Sequence, residues 1–241
     1  MSDKEEEKSF CTNSVVLLHG YKQNAAIIER TFSDKIVRGA KHRWPTSYII
    51  PNGIPLSDHS VSLSSSPEAR MWWPIASPET FATPHRYEGV DAAVARAWSC
   101  ITEHIAKSSS QQQHVHHLTL VGFSQGAVLA MLMTMLKDRW PTHDDGSLRV
   151  HIDRLVLIAP SPIMDSVYHP HLDALISVPT FIIHGERDPF VSADSVAQVA
   201  RYFGTAVVYA HAQGHVIPTG AHVREKMRTF LSASDISVGD V

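Results

Sequence analysis

Leu118-Thr119-Leu120-Val121-Gly122-Phe123-Ser124-Gln125-Gly126-Ala127 is the stretch on which the fold turns. A short apolar run ends at a glycine. From Ala127 to Leu136 the chain is apolar almost all round, which implies a helix buried against a sheet. Between the two, Gly122-Phe123-Ser124-Gln125-Gly126 fits G-x-S-x-G, in the strand-turn-helix setting that a nucleophile elbow requires. Such a turn is so tight that side chains two before and two after the serine would strike neighbouring backbone. Gly122 and Gly126 remove them, and Ser124 is presented above the sheet on a strained backbone.

Outward from this turn the same alternation repeats. Val15-Val16-Leu17-Leu18-His19 ends in Gly20, and Ser47-Tyr48-Ile49-Ile50 is stopped by Pro51-Asn52-Gly53. Leu155-Val156-Leu157-Ile158-Ala159 ends at Pro160, Thr180-Phe181-Ile182-Ile183-His184 at Gly185, and Ala206-Val207-Val208-Tyr209-Ala210 is the last run. Continuous rather than alternating apolar runs suit strands buried on both faces, as in a parallel sheet. Helical patterns lie between them. One is capped by Asn24, one starts at Val90, one spans Ser195 to Phe203, and one carries Val223, Met227, Phe230 and Leu231. The expectation is one α/β domain over residues 14–232, with right-handed crossovers, an acidic tail at 1–13 and a second tail at 233–241. Its sheet is six-stranded and mainly parallel, with helices on both faces. One connection, 51–86, is long and rich in proline and serine; it reads either as a structureless lid or cap, or as a segment whose aromatics fold down as ordinary packing.

Composition excludes several function classes. Of 241 residues, 44% are hydrophobic and 19% charged, which is globular rather than disordered. A net charge of −3 provides no basic field for nucleic acid. Two cysteines, Cys11 and Cys100, make neither a disulfide framework nor a Cys-rich zinc site. No signal peptide and no apolar run of membrane-spanning length is read, so a soluble cytoplasmic protein is expected. Sixteen histidines are many. His114-Val115-His116-His117 follows a Ser/Gln-rich stretch and reads as a polar surface loop, with neither the further ligands nor the fixed geometry of a metal site.

A serine hydroxyl needs a base, and the base needs an orienting acid. In this topology they follow the nucleophile as acid, then histidine. Asp188, in Gly185-Glu186-Arg187-Asp188-Pro189-Phe190-Val191, comes directly after the fifth strand; Asp165, after the fourth, is the rival acid. His215, in Gln213-Gly214-His215-Val216-Ile217-Pro218, follows the sixth strand. His211 is too close to that strand, His222 falls on the final helix, and His184 is a strand-end histidine. An oxyanion hole needs two backbone N–H donors. Gln125, directly after the serine, and Tyr21, in the loop after the first strand, are the candidates.

With these residues in place the chain resembles the α/β-hydrolase superfamily, and more narrowly it is similar to the FSH serine hydrolase family of compact one-domain esterases. The resemblance spans about residues 14–232. It rests on Leu18-His19-Gly20-Tyr21 with Gln23-Asn24, Trp72-Trp73, Gly122-Phe123-Ser124-Gln125-Gly126-Ala127, Gly185-x-x-Asp188-x-x-Val191 and Gly214-His215-Val216-x-Pro218. Ile50-Pro51-Asn52-Gly53-Ile54-Pro55 looks closer to the acyl-protein thioesterase and lysophospholipase type. The resemblance implies a six-stranded order of 2-1-3-4-5-6 and a triad of Ser124, Asp188 and His215. It further implies hydrolysis of a small-molecule carboxylic ester or thioester through an acyl-enzyme, with no cofactor. Trp72, Trp73 and Phe81 are candidate walls of an acyl pocket. The alternative readings are a non-catalytic hydrolase-fold module binding a small acyl or hormone-like ligand, and a lysophospholipase or acyl-protein thioesterase.

Overall fold

The central strand runs are apolar on both sides because helices cover both sides of the sheet there, whereas the last run, at the sheet edge, leaves Val208 exposed. The computed structural model describes residues 12–32, 47–56, 68–75, 85–108, 115–137 and 149–232. The chain runs β1 (Thr12–Leu18), α1 (Ala25–Phe32), β2 (Ser47–Ile49), β3 (Ile54–Pro55), β4 (Arg70–Met71), α2 (Val90–Ser108), β5 (Val115–Phe123) and α3 (Gln125–Met135). It continues with β6 (Arg149–Ile158), a 3-10 turn (Ser166–Leu172), β7 (Thr180–Gly185), α4 (Ala193–Ala200), β8 (Ala206–His211) and α5 (Ala221–Ser232). Six strands form one sheet in the order β2-β1-β5-β6-β7-β8, and every neighbouring pair is parallel. That is the expected 2-1-3-4-5-6 order.

Side chains of a strand alternate between faces, so each strand feeds two cores. Val16, Leu18, Leu120, Leu157 and Ile182 join one core with α2, α3 and α4. Val15, Leu17, Val121, Val156 and Phe181 join the other with α1 and α5, through Ile28, Phe32, Val223, Met227 and Phe230. Helix α3 is buried from Gln125 to Thr134. Its lack of a polar face is therefore a packing requirement, and truncating Leu129 to alanine would cost about 2–5 kcal/mol.

Three expectations change. Val115-His116-His117 is not surface loop but the start of β5, and His116 is buried. Pairing on both sides overrides the polar composition: His116 lies opposite Thr12 of β1, and His117 opposite His151 of β6. His117 also pairs with Asp153 at 2.7 Å. Strand β1 likewise begins at Thr12, inside the stretch expected to be tail. Finally, the 51–86 connection is not structureless. Its described parts include the antiparallel β3–β4 pair, and Arg70 N–H bonds the Gln23 carbonyl at 2.9 Å, tying this hairpin to the loop after β1. Phe81 and residues 109–114 lie outside the described residues. Among the described residues, no helix is long and apolar enough to cross a membrane.

A fully parallel sheet puts all strand C-terminal ends on one edge. The loop after β1 and the turn after β5 are neighbours there, as are the loops after β7 and β8.

Candidate active site

Ser124 has φ 53° and ψ −118°, a left-handed backbone that a non-glycine residue rarely adopts. Hydrogen bonds hold it there: its N–H donates to the Ile158 carbonyl at 2.9 Å, and its carbonyl accepts from Ala127 N–H at 2.9 Å. A Cβ on Gly122 would collide with the Gly126 carbonyl and Ala127 Cα, and one on Gly126 with the Leu18 carbonyl. The two glycines are thus required by contact, as the elbow reading expects.

The structure brings Ser124, His215 and Asp188 into one chain of hydrogen bonds. Ser124 Oγ lies 2.9 Å from His215 Nε2, and His215 Nδ1 lies 2.7 Å from Asp188 Oδ2. The carboxylate only accepts, so Nδ1 carries the proton and Nε2 faces the hydroxyl as an acceptor. The other carboxylate oxygen, Asp188 Oδ1, accepts from Phe190 N–H at 2.9 Å and Val191 N–H at 3.0 Å. The Asp188 side chain is 0% exposed and that of His215 18%. Phe123 and Phe190 flank the imidazole, with ring centroids at 5.0 and 5.2 Å.

The rival residues have other work. Asp165 is buried, and it accepts from Tyr87 N–H at 2.8 Å and Val167 N–H at 3.1 Å. It caps the 3-10 turn and pins the chain entering α2. His211 ends β8; its Nδ1 accepts from Gln213 N–H at 3.2 Å, which orders the loop leading to His215. Burial first, then the neighbouring His184, lowers the pKa of His211. His222 lies exposed on α5 beside the Tyr209 ring.

Tyr21 and Gln125 border the cavity into which Ser124 opens. A buried polar network behind them escaped the sequence reading. His19 Nδ1–H donates to the Gly20 carbonyl at 2.8 Å, and His19 Nε2 accepts from Gly53 N–H at 3.0 Å. Accepting at Nε2 needs the neutral ring. Burial, the largest cause, lowers the His19 pKa to about 4; the bond to Gly20 opposes this and the Arg70 charge adds to it. Trp72 stacks on His19 at 4.7 Å and donates Nε1–H to the His19 carbonyl at 2.8 Å. The Gln125 side chain closes the network, accepting from Trp72 N–H at 3.0 Å and donating to the Trp73 carbonyl at 2.8 Å. Trp72 and Trp73 are therefore core residues that brace the site from behind, and they are not among the residues lining this cavity. Two tryptophans in a loop carry no signal that separates a wall from a brace.

The cavity measures about 240 Å³ and its apolar walls come from Tyr21, Phe123, Ala159, Phe190 and Val191. Ser161 and Lys22 add polar groups. Among the described residues, no group of three or more His, Cys, Asp or Glu is placed to hold a metal.

Comparison with known proteins agrees with this architecture. A family model described as "Serine hydrolase (FSH1)" matches residues 9–227. The esterase OVCA2 of Xenopus tropicalis is 27% identical over 227 residues, covering 90% of this chain and 91% of that protein. The esterase CG5412 of Drosophila melanogaster is 25% identical over 237 residues, covering 95% and 78%. Among solved structures, SOBER1 of Arabidopsis thaliana superposes with a TM-score of 0.64 at 14% identity, covering 92% of this chain and 98% of that one. Esterase PE8 gives a TM-score of 0.62 at 17% identity, covering 92% of both chains. At these identities the two structures speak for the fold, the α/β-hydrolase fold.

Proposed function

We propose that this chain, which belongs to the FSH1 serine hydrolase family, cleaves carboxylic esters or thioesters of small molecules through an acyl-enzyme on Ser124. His215 takes the hydroxyl proton as Ser124 Oγ attacks the acyl carbon, and Asp188 holds the imidazole tautomer and stabilises the imidazolium that forms. The N–H groups of Tyr21 and Gln125 receive the developing oxyanion, the second from a helix N-terminus whose dipole favours negative charge. The imidazolium then protonates the leaving group. His215, neutral again, activates the water that releases the acid.

One observation carries this reading: the unbroken line from Ser124 Oγ through His215 to a fully buried carboxylate, at 2.9 and 2.7 Å. A module that only bound its ligand would have no need of that line. The cavity of about 240 Å³, walled mostly by apolar side chains, suits short to medium acyl chains. The test is a panel of esters and acyl-thioesters graded in chain length, with Ser124→Ala as the blank. The expected result is turnover that declines beyond medium chains and vanishes in the blank. Equal turnover in the blank refutes it.

A further inference from the structure

Lys22 is an odd residue for its place. Its φ is 62°, in the left-handed region where glycine or asparagine sits at lower cost. A bond from its N–H to the Arg70 carbonyl at 2.9 Å holds it there. Among the described residues, the non-glycine positions of positive φ are Lys22, Ser124 and Ala159, and all three border the same cavity. Backbone strain of this kind gathers where a side chain must be presented at a site.

What Lys22 presents is a positive charge. Its side chain is exposed, and its ammonium lies 5.7 Å from the centroid of the Tyr21 ring. Among the described residues no carboxylate lies within ion-pair distance of it. Asp188, the acid of the neighbouring loop, is wholly buried and committed to His215. Among the described residues that line the cavity, Lys22 is the sole ionisable cation apart from His215, and the walls are otherwise mostly apolar. An unneutralised charge at the rim of a low-dielectric cleft draws anions more strongly than the same charge on an open face.

We infer that the substrate carries an anionic oxygen group, carboxylate or phosphate, which the Lys22 ammonium receives at the mouth while the apolar acyl part enters the cavity. This rests on the hydrolase reading above and names the substrate class for it. The reaction is unchanged; the anion sits away from the bond being broken. Carboxylate and phosphate share this chemistry, and the anion can end either the acyl chain or the leaving group.

Five esters of equal acyl length separate these cases: a neutral one, and four that carry a carboxylate or a phosphate, each either at the end of the acyl chain or on the leaving group. The quantity read is the ratio of kcat/KM for each anionic ester to that of the neutral one. Wild type should favour at least one anionic ester by about tenfold, the range of one charge-assisted contact at a half-open site. Lys22→Met, which keeps the backbone N–H and a similar stem, should abolish the preference, chiefly through KM. Lys22→Arg should restore it, and added salt should weaken it. The arm that shows the preference identifies the anion and its position. An equal ratio in wild type and Lys22→Met, or no preference in wild type, overturns the inference while leaving the hydrolase reading intact. Wild type that hydrolyses none of the five overturns both.

Discussion

Replacing Asp188 by asparagine tests the proposed chemistry with little change of shape. The two oxygens of Asp188 have unequal neighbours. Oδ1 accepts from two backbone N–H groups, those of Phe190 and Val191, at 2.9 and 3.0 Å. Oδ2 accepts from His215 Nδ1 at 2.7 Å. An amide has one oxygen and one NH2. Placing the NH2 against two N–H donors would set donors against donors in a site that is 0% exposed, so the amide oxygen must take the Oδ1 position. The NH2 then faces His215 Nδ1, which can meet it only as an acceptor. The neutral ring moves its proton to Nε2, and Nε2–H points at Ser124 Oγ, where a base is needed. The loop keeps both backbone bonds, so the fold survives while the wrong tautomer is selected. The same exchange in a serine protease lowers kcat about 10⁴-fold, or about 5 kcal/mol at about 1.4 kcal/mol per decade. The assay is kcat on a short-chain chromogenic ester at neutral pH, with a thermal melt beside it. A variant that melts like wild type yet keeps more than a tenth of its kcat would refute the reasoning.

Three further outcomes are expected. A fluorophosphonate should add one label to wild type and none to Ser124→Ala, read by intact mass; labelling that persists in the variant would move the nucleophile elsewhere. Trp72→Phe keeps a ring against His19 but leaves the His19 carbonyl without its 2.8 Å donor. It should cost about 1–3 kcal/mol in a denaturant titration and lower kcat more than it raises KM, because the bond lost lies behind both proposed oxyanion donors. The folded His19 ring resists protonation down to about 4 while the unfolded ring accepts a proton near 6.5, so between those values the unfolded state binds more protons. Its contribution to stability is therefore present above pH 6.5 and fades as pH falls toward 4, by up to about 3 kcal/mol in all; His19→Gln should flatten that part of the stability curve, and an unchanged slope would refute the assignment.

What was legible in the sequence was what sterics or double burial leaves little choice about. The elbow could be read because two glycines solve a collision that no other residue solves. The strands could be read because a run with no polar position has to be covered twice. Asp188 was preferred over Asp165 from the short path after its strand and from Pro189, and the hydrogen bonds place Asp188 against His215 and Asp165 against Tyr87 N–H. The failures have a common physical cause, in that the deciding partner lies far along the chain. His116 and His117 become strand because Thr12 and His151 pair with them. Trp72 becomes a brace because His19 and Gln125 meet it, each more than fifty residues away. Phe190 stands beside the preferred acid in sequence, yet its role as a cavity wall depends on the position of the imidazole it touches.

His19 and His215 show how partners divide one side-chain chemistry into two functions. Each has a proton on Nδ1 and a bare Nε2, and each stands next to a glycine. His19 donates an Nδ1–H hydrogen bond to a neutral carbonyl and accepts from a backbone N–H, Gly53, which cannot release its own proton. No proton can move along that line at any working pH, so the ring acts as a rigid strut under the Tyr21 loop. His215 donates an Nδ1–H hydrogen bond to a carboxylate and accepts from a hydroxyl, so the proton at its far end can move and the charge created has a counter-charge waiting. Exchanging the partners would exchange the roles: a carboxylate under His19 would favour its charged form and place a cation behind the Tyr21 loop, where only the loop geometry is wanted. The burial that keeps His19 neutral and the buried acid that prepares His215 for charge are thus two halves of one arrangement, and each fails if given the other's environment.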